Sequence, residues 1–254
     1  MLVRRIGMLV AAALLAAVTL TSCSGSPGAS PSAPPTVPGP TSAPPTTTSS
    51  AIQIVSPVEG ETVSVPFVVS GEADTFEAVL TVEVVDQSGL VDCVRQVMAT
   101  SGTGTPGTWE ATLAFPPEAD ALPVMLRAYT HSAKDGSIVD LVEYPIEVAP
   151  DRPPIFLTSP TCGQIYERGS LVSVSGLAAV FEAALTVDVR DGSGATVTTL
   201  SLTADACCEH SNFSSLLTLP DDLPPGLYDV VAYSLSPKDG SIENEFPVQI
   251  EIRE

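Results

Sequence analysis

Residues 76–89 read FEAVLTVEVVDQSG, and residues 181–194 read FEAALTVDVRDGSG. In the first stretch Leu80, Val82 and Val84 alternate with Thr81 and Glu83. In the second, Leu185, Val187 and Val189 alternate with Thr186, Asp188 and Arg190. A period of two turns one apolar face toward a core and the other toward solvent, the pattern of a β-strand in a half-buried sheet. Each stretch ends in Asp, Ser and Gly, which is turn chemistry. One strand and its turn are therefore written twice, about a hundred residues apart.

The duplication extends in both directions. Ser56-Pro57 with Gly60 returns as Ser159-Pro160 with Gly163, and Ser70-Gly71 returns as Ser175-Gly176. KDGSI at 134–138 returns at 238–242, and the offset stays between 103 and 105 throughout. The chain thus holds two copies of one domain, assigned to 52–149 and 154–252, joined by the short segment APDRPP at 149–154. Other strands repeat as well. Trp109, Ala111, Leu113 and Phe115 point inward in one copy, and Phe213, Leu217 and Leu219 in the other. Phe67 and Val69, matched by Val172 and Val174, make a strand ahead of the Ser-Gly pair, which reads as a turn. The last strands run through Tyr144, Ile146 and Val148, and through Phe246, Val248 and Ile250. About seven short strands per hundred residues is the pattern of a sandwich. EADTFEA supplies one helical turn at most.

KDGSI lies between the final two strands of each copy, where Asp-Gly suits a tight hairpin. That explains Asp-Gly but not the retained Lys and Ser. Lys134, Asp135, Lys238 and Asp239 therefore form a candidate recognition surface, together with Arg127, Tyr129 and His131 on a neighbouring outward strand face.

The leading Ser-Pro with Gly, the Val-Ser-Gly, the Phe-Glu-Ala and the late Lys-Asp-Gly-Ser together resemble the immunoglobulin-like domain of bacterial spore germination. The resemblance covers both copies, essentially all of 52–252, and departs most at LTADACCEHSNFSSLLTL in the second. It implies an all-β fold: two tandem immunoglobulin-like β-sandwich domains after a disordered N-terminal region. It also implies germination, a role set aside here because no separate sporulation and germination domain accompanies the copies. The Ala- and Pro-rich, Lys-poor composition is that expected of actinobacteria.

The chain begins MLVRRIGMLVAAALLAAVTLTSC. Arg4 and Arg5 precede an apolar run at 8–20, shorter than the roughly 20 residues a membrane span needs. Residues 1–22 read as a signal peptide. Leu20-Thr21-Ser22-Cys23 resembles a bacterial lipobox, which implies lipidation of Cys23 with acyl chains such as palmitate and attachment to the cell membrane, facing the extracellular side or the cell wall. Residues 23–51 are almost all Ser, Pro, Thr, Gly and Ala, a disordered tether that buries no core.

The 254 residues carry 30 acids and 10 bases, a net charge of −20. Removing 1–22 takes two arginines and no acid, leaving 8 bases and a charge of −22. Such a chain excludes nucleic acid as a partner, since phosphate binding needs a basic footprint. Attachment to anionic lipid would rest on acyl chains rather than on charge. The two histidines, His131 and His210, sit in no nucleophile motif, so no enzyme and no cofactor is expected.

Besides Cys23 there are Cys93, Cys162, Cys207 and Cys208, which in an exported chain are disulfide candidates. Adjacent cysteines bond to each other only with strain, so Cys207 and Cys208 are expected to take different partners: Cys162 for one, and Cys93, across the two domains, for the other. A metal set of Cys162, Cys207, Cys208 and His210 is the alternative, although its spacing matches no common zinc pattern. The expected function is a cell-surface lipoprotein acting as a non-catalytic binding or scaffolding module in the envelope, with an envelope protein or cell-wall polymer as partner. The alternative is an envelope redox or metal-binding accessory that uses the Cys207-Cys208 pair.

Overall fold

Alternation of apolar residues dictates strands, and the computed structural model, which describes residues 50–254, has strands as its only long regular elements. The signal peptide, Cys23 and nearly all of the tether lie outside the described residues. The first domain holds β1 (Ile52–Ser56), β2 (Thr62–Val63), β3 (Phe67–Ala73), β4 (Val79–Asp86), β5 (Val91–Met98), β6 (Gly107–Leu113), β7 (Leu122–His131) and β8 (Ile138–Val148). The second repeats them as β9 (Ile155–Ser159), β10 (Ile165–Glu167), β11 (Leu171–Ala178), β12 (Ala184–Arg190), β13 (Thr196–Thr203), β14 (Ser211–Thr218), β15 (Gly226–Leu235) and β16 (Ile242–Arg253). Each domain therefore has eight strands, one more than the sequence pattern suggests. The extra one is the short β2 or β10, which pairs parallel to the last strand.

Each domain packs a three-stranded sheet on a five-stranded one. The orders are β1-β3-β6 on β2-β8-β7-β4-β5, and β9-β11-β14 on β10-β16-β15-β12-β13. The inward residues read from the sequence are buried. Leu80, Val82 and Val84 pack with Val69, Trp109, Leu113 and Leu126, and Leu185, Val187 and Val189 pack with Val174, Phe213, Val230 and Phe246. Each fully buried aliphatic contributes roughly 1.5–3 kcal/mol.

Two local expectations change. Ser70-Gly71 and Ser175-Gly176 are not turns; they lie inside β3 and β11. Their glycines are required by close approach. A Cβ at Gly71 would sit 1.9 Å from the Gln53 carbonyl oxygen and 2.7 Å from the Trp109 ring; at Gly176 it would sit 2.1 Å from the Phe156 oxygen and 2.8 Å from the Phe213 ring. The Phe-Glu-Ala motif forms no ordinary helical turn either. Glu77 and Ala78 have φ of 57° and 59°, Glu182 and Ala183 of 55° and 56°, and this left-handed bend leaves Phe76 and Phe181 about three-fifths exposed (62% and 61%).

The KDGSI segments do join the last two strands of each domain, spanning the tips between β7 and β8 and between β15 and β16. Only the glycines, Gly136 at φ 72° and Gly240 at 73°, are left-handed. The retained Ser is explained as well: Asp135 Oδ1 accepts from Ser137 N and Oγ, and Asp239 Oδ1 accepts from Ser241 N and Oγ. These bonds hold both carboxyls below their ordinary pKa, the serine hydroxyl being the largest cause.

Gly71→Ala and Gly176→Ala should each lower the urea midpoint sharply, at the upper end of the roughly 1–3 kcal/mol range for overpacking, because the obstacle is backbone rather than a movable side chain. Urea unfolding of the two variants against Gly136→Ala, which meets open space but has a left-handed φ, separates close approach from conformational strain.

Candidate functional site

The strand β5 lies at the edge of its sheet, paired only with β4. Its inward positions Cys93 and Arg95 stand opposite Val84 and Val82. The matching positions in the second domain are Thr198 and Leu200, opposite Val189 and Val187. Where the second domain ends its sheet conventionally, the first places a thiol and a guanidinium, and both reach the other domain. Cys93 is disulfide-bonded to Cys162, in the turn between β9 and β10. Arg95 Nη2 lies 2.6 Å from Asp229 Oδ2 on β15. Gln249, opposite Asp229 on β16, accepts from Gln96 N at 2.7 Å and donates from Nε2 to Gln96 O at 3.1 Å. Its amide thus stands in for one residue of a neighbouring strand. The Gln249 carbonyl meanwhile accepts from Gly163 N, fixing the turn that carries Cys162. Cys162 Sγ is 3.2 Å from the carbonyl oxygen of Ala114, a fully buried residue of the first domain that packs in the second domain's core.

The pairing corrects the expectation that Cys162 would bond Cys207 or Cys208. The loop carrying those two is tied to the residues after β11, through Cys208 N to Val180 O, and to those just before the short β9, through His210 Nε2 to Pro153 O at 2.9 Å, whereas Cys162 follows the end of β9. Five strand residues separate the two regions by ~17 Å. Cys207 and Cys208 remain exposed free thiols. With Cys162 in the disulfide, the proposed set of Cys162, Cys207, Cys208 and His210 is broken. Among the described residues no group of three or more His, Cys, Asp or Glu could hold a metal ion.

Beside this joint lies a cleft of about 700 Å³, lined from one side by Val97, Met98, Glu110 and Thr112 and from the other by Arg190 and Glu245. Asp229 also lines it, and its Oδ1 is buried without a hydrogen-bond partner. Arg190 pairs with Glu245 at 2.7 Å and Asp188 at 3.5 Å. Burial opposes its charge, but the bonds and charges of Glu245 and Asp188 prevail and raise its pKa.

The outward faces of the central strands are not solvated as the alternation implied. Glu83 and Asp188 are both 5% exposed. Arg127 covers Glu83 at 2.8 Å and also meets Glu143 at 3.3 Å, and Tyr129 donates from its hydroxyl to Glu83 Oε2 at 3.1 Å. Two of the candidate recognition residues, Arg127 and Tyr129, are thus engaged within the sheet face. His131 packs edge-on to Tyr129 and its Nδ1 lies 3.0 Å from Gly136 O, next to the exposed tip bearing Lys134 and Asp135. Lys238 and Asp239 occupy the equivalent exposed tip of the second domain. The cleft residues Arg95, Asp229 and Gln249 were not singled out from sequence. The signal was there, because Cys162 and Gln249 replace Glu59 and Pro145 of the first copy, and Asp229 replaces Met125.

Burial, and then the charge and hydrogen bond of Glu83, push the Tyr129 phenol up to about 12. A pKa raised on folding stabilises the protein fully below the unfolded value near 10 and ceases to do so as pH rises through the folded value. Stability should therefore fall between pH 10 and 12, and Tyr129→Phe should remove the highest-pH step in a phenolate absorbance titration. Cys93→Ala/Cys162→Ala, by releasing a cross-link of sequence separation 69, should cost about 4 kcal/mol in the chain-entropy estimate, read by urea unfolding.

Comparison with known proteins follows the same division into two copies. The model of the immunoglobulin-like domain of bacterial spore germination matches residues 51–137 and again 154–241. No curated protein matches the chain. Among solved structures, the fibronectin(III)-like modules of Clostridium thermocellum CbhA are 15% identical, with 80% of this chain and 94% of that one covered and a TM-score of 0.25. The ICAM-5 D1–D4 ectodomain fragment is 16% identical, with coverage of 80% and 53% and a TM-score of 0.28. The N-terminal Ig1-2 module of the Drosophila receptor protein tyrosine phosphatase DLAR is 11% identical, with coverage of 80% and 99% and a TM-score of 0.24. With both copies matched over most of their length, the chain belongs to the family of the immunoglobulin-like domain of bacterial spore germination.

Proposed function

We propose that the chain is a non-catalytic binding module of the bacterial cell surface, anchored by lipid on Cys23 and held off the membrane by the 23–51 tether, with an envelope protein or cell-wall polymer seated in the cleft between its domains. The observation that carries this reading is the cleft, whose volume of about 700 Å³ lies within the range of small-ligand sites. It joins exposed Met98 (71%) to polar groups, one of which, Asp229 Oδ1, is a buried acceptor without a partner. A buried acceptor without a partner is costly, and a shift that brings a donor to it would offset that cost. The non-catalytic reading is supported by how the charged groups are used: Arg95 is paired with Asp229 and Arg190 with Glu245, so neither guanidinium is left for chemistry. The net charge of −22 in the mature chain favours anchoring by acyl chains over adhesion to anionic lipid.

The anchor and the cleft are tested separately. Cys23→Ala should move at least nine-tenths of the protein from membranes to the medium; retention in the membrane fraction would refute the anchor. The released protein should be retained on washed cell envelopes, and Met98→Asp or Thr112→Arg should cut that retention tenfold or more with unchanged thermal unfolding. Undiminished retention in both variants would place the binding surface elsewhere.

A further inference from the structure

Cys207 and Cys208 occupy a loop whose shape does not depend on them. The first domain has the same loop without cysteine. There Thr103, the position equivalent to Cys208, has φ of 55° and donates from its N–H to Thr75 O at 3.0 Å. Cys208 has φ of 68° and donates likewise to Val180 O at 3.4 Å. The left-handed bend therefore belongs to the domain, and a pair of cysteines has been set on it. The loop is fixed further by Ser211 Oγ, which accepts from Ala206 N at 2.9 Å and donates to Ala206 O at 2.7 Å. On this frame the two sulfurs stand 2.8 Å apart. That is longer than the about 2.05 Å of a disulfide bond and closer than unbonded sulfurs ordinarily approach. Both thiols are exposed, whereas Cys93 is buried and bonded.

We propose that Cys207 and Cys208 form a thiol–disulfide exchange site, whose substrates are exposed disulfides, small or on a protein, outside the cell. Cys207 as thiolate attacks one sulfur of R–S–S–R; a Cys207–S–S–R bond forms and R–S⁻ leaves, taking up a proton. Cys208 then loses its proton, attacks Cys207 Sγ and closes the adjacent-residue disulfide, and the second R–SH departs. Two protein thiols are oxidised and one disulfide is reduced to two thiols, so electrons and protons balance. Run backward, the closed ring oxidises a dithiol. With the two sulfurs 2.8 Å apart, the thiol left after the first attack is already within reach of the mixed disulfide. The hydrogen bond to Cys207 raises the Cys208 pKa, which suits Cys208 to the resolving step. This activity is independent of the cleft, which lies on other strands.

The full mature chain, in detergent, is equilibrated with graded ratios of glutathione to glutathione disulfide, quenched in acid, alkylated with a maleimide and mapped by peptide mass. The peptide bearing Cys207 and Cys208 should pass from two maleimides to none in one two-electron transition, without a glutathione adduct and without cross-linked chains. Cys208→Ser should trap glutathione on Cys207 in most molecules, because no resolving thiol remains. Both cysteines being alkylated at every ratio would overturn the proposal. So would protection arising only from disulfides between chains, or the absence of any adduct in Cys208→Ser.

Discussion

A strand at the edge of a sheet must dispose of its outward N–H and C=O groups, or it recruits another chain. In this protein the second domain meets the edge strand β5 at its middle, from Cys93 to Gln96. Gln249 supplies one donor and one acceptor to Gln96, Arg95 crosses to Asp229, and Cys93 is bonded to Cys162. The rest of the two-domain arrangement depends on this contact. It fixes the turn that carries Cys162, draws Ala114 into the neighbouring core and leaves the cleft with Met98 on one wall and Glu245 on the other. An inward-pointing arginine on an edge strand is a recognised guard against aggregation, and Arg95 has become the contact that selects one partner surface.

The two copies obey a second constraint in different ways. Each central strand carries a carboxylate on its outward face, Glu83 or Asp188, flanked by a tyrosine in the same register, Tyr129 or Tyr233. A buried carboxylate needs a cation or donors. The first domain takes its guanidinium from β7, at Arg127, where the second has Val231. The second takes it from β12, at Arg190, where the first has Val85. Each arginine lies over the tyrosine of its own domain, at 5.8 Å and 5.5 Å from the ring centre. The charge is retained in space although it has moved between strands. That displacement places the paired Arg190 and Glu245 on the cleft wall.

These two cases mark what was legible in the sequence. Period-two alternation and the internal repeat specify the longer strands and both cores, because burial of one face acts on every second residue and repeats in both copies; the family is legible only through the motifs that resemble it. Gly71 and Gly176 were read as turn residues since sequence does not distinguish a glycine needed for φ from one needed for space; the rings of Trp109 and Phe213 decide it. Arg127 and Tyr129 read as a recognition surface on an outward strand face because alternation marks their partner, Glu83, as solvated. Membership of one copy favours Cys162 with Cys207 or Cys208, but β9 holds them apart and Cys162 takes Cys93 instead. The joint itself is written where the copies carry different residues at the same register position, at Cys93 against Thr198 and Arg95 against Leu200. A repeat reveals a fold by its agreements, and an interface between the copies by its disagreements.

The same contrast separates the cysteines by chemistry. Cys93 and Cys162 lie where two cores meet, Cys93 2% exposed, so a reductant has little access and the bond serves as architecture. Cys207 and Cys208 lie on a loop that the first domain builds from Thr103 and its neighbours with the same left-handed geometry. Nothing in the packing requires sulfur there, since both side chains are exposed. What sets these two side chains apart is therefore chemistry rather than packing, since two adjacent thiols on one fixed bend have a reactivity that neither has alone.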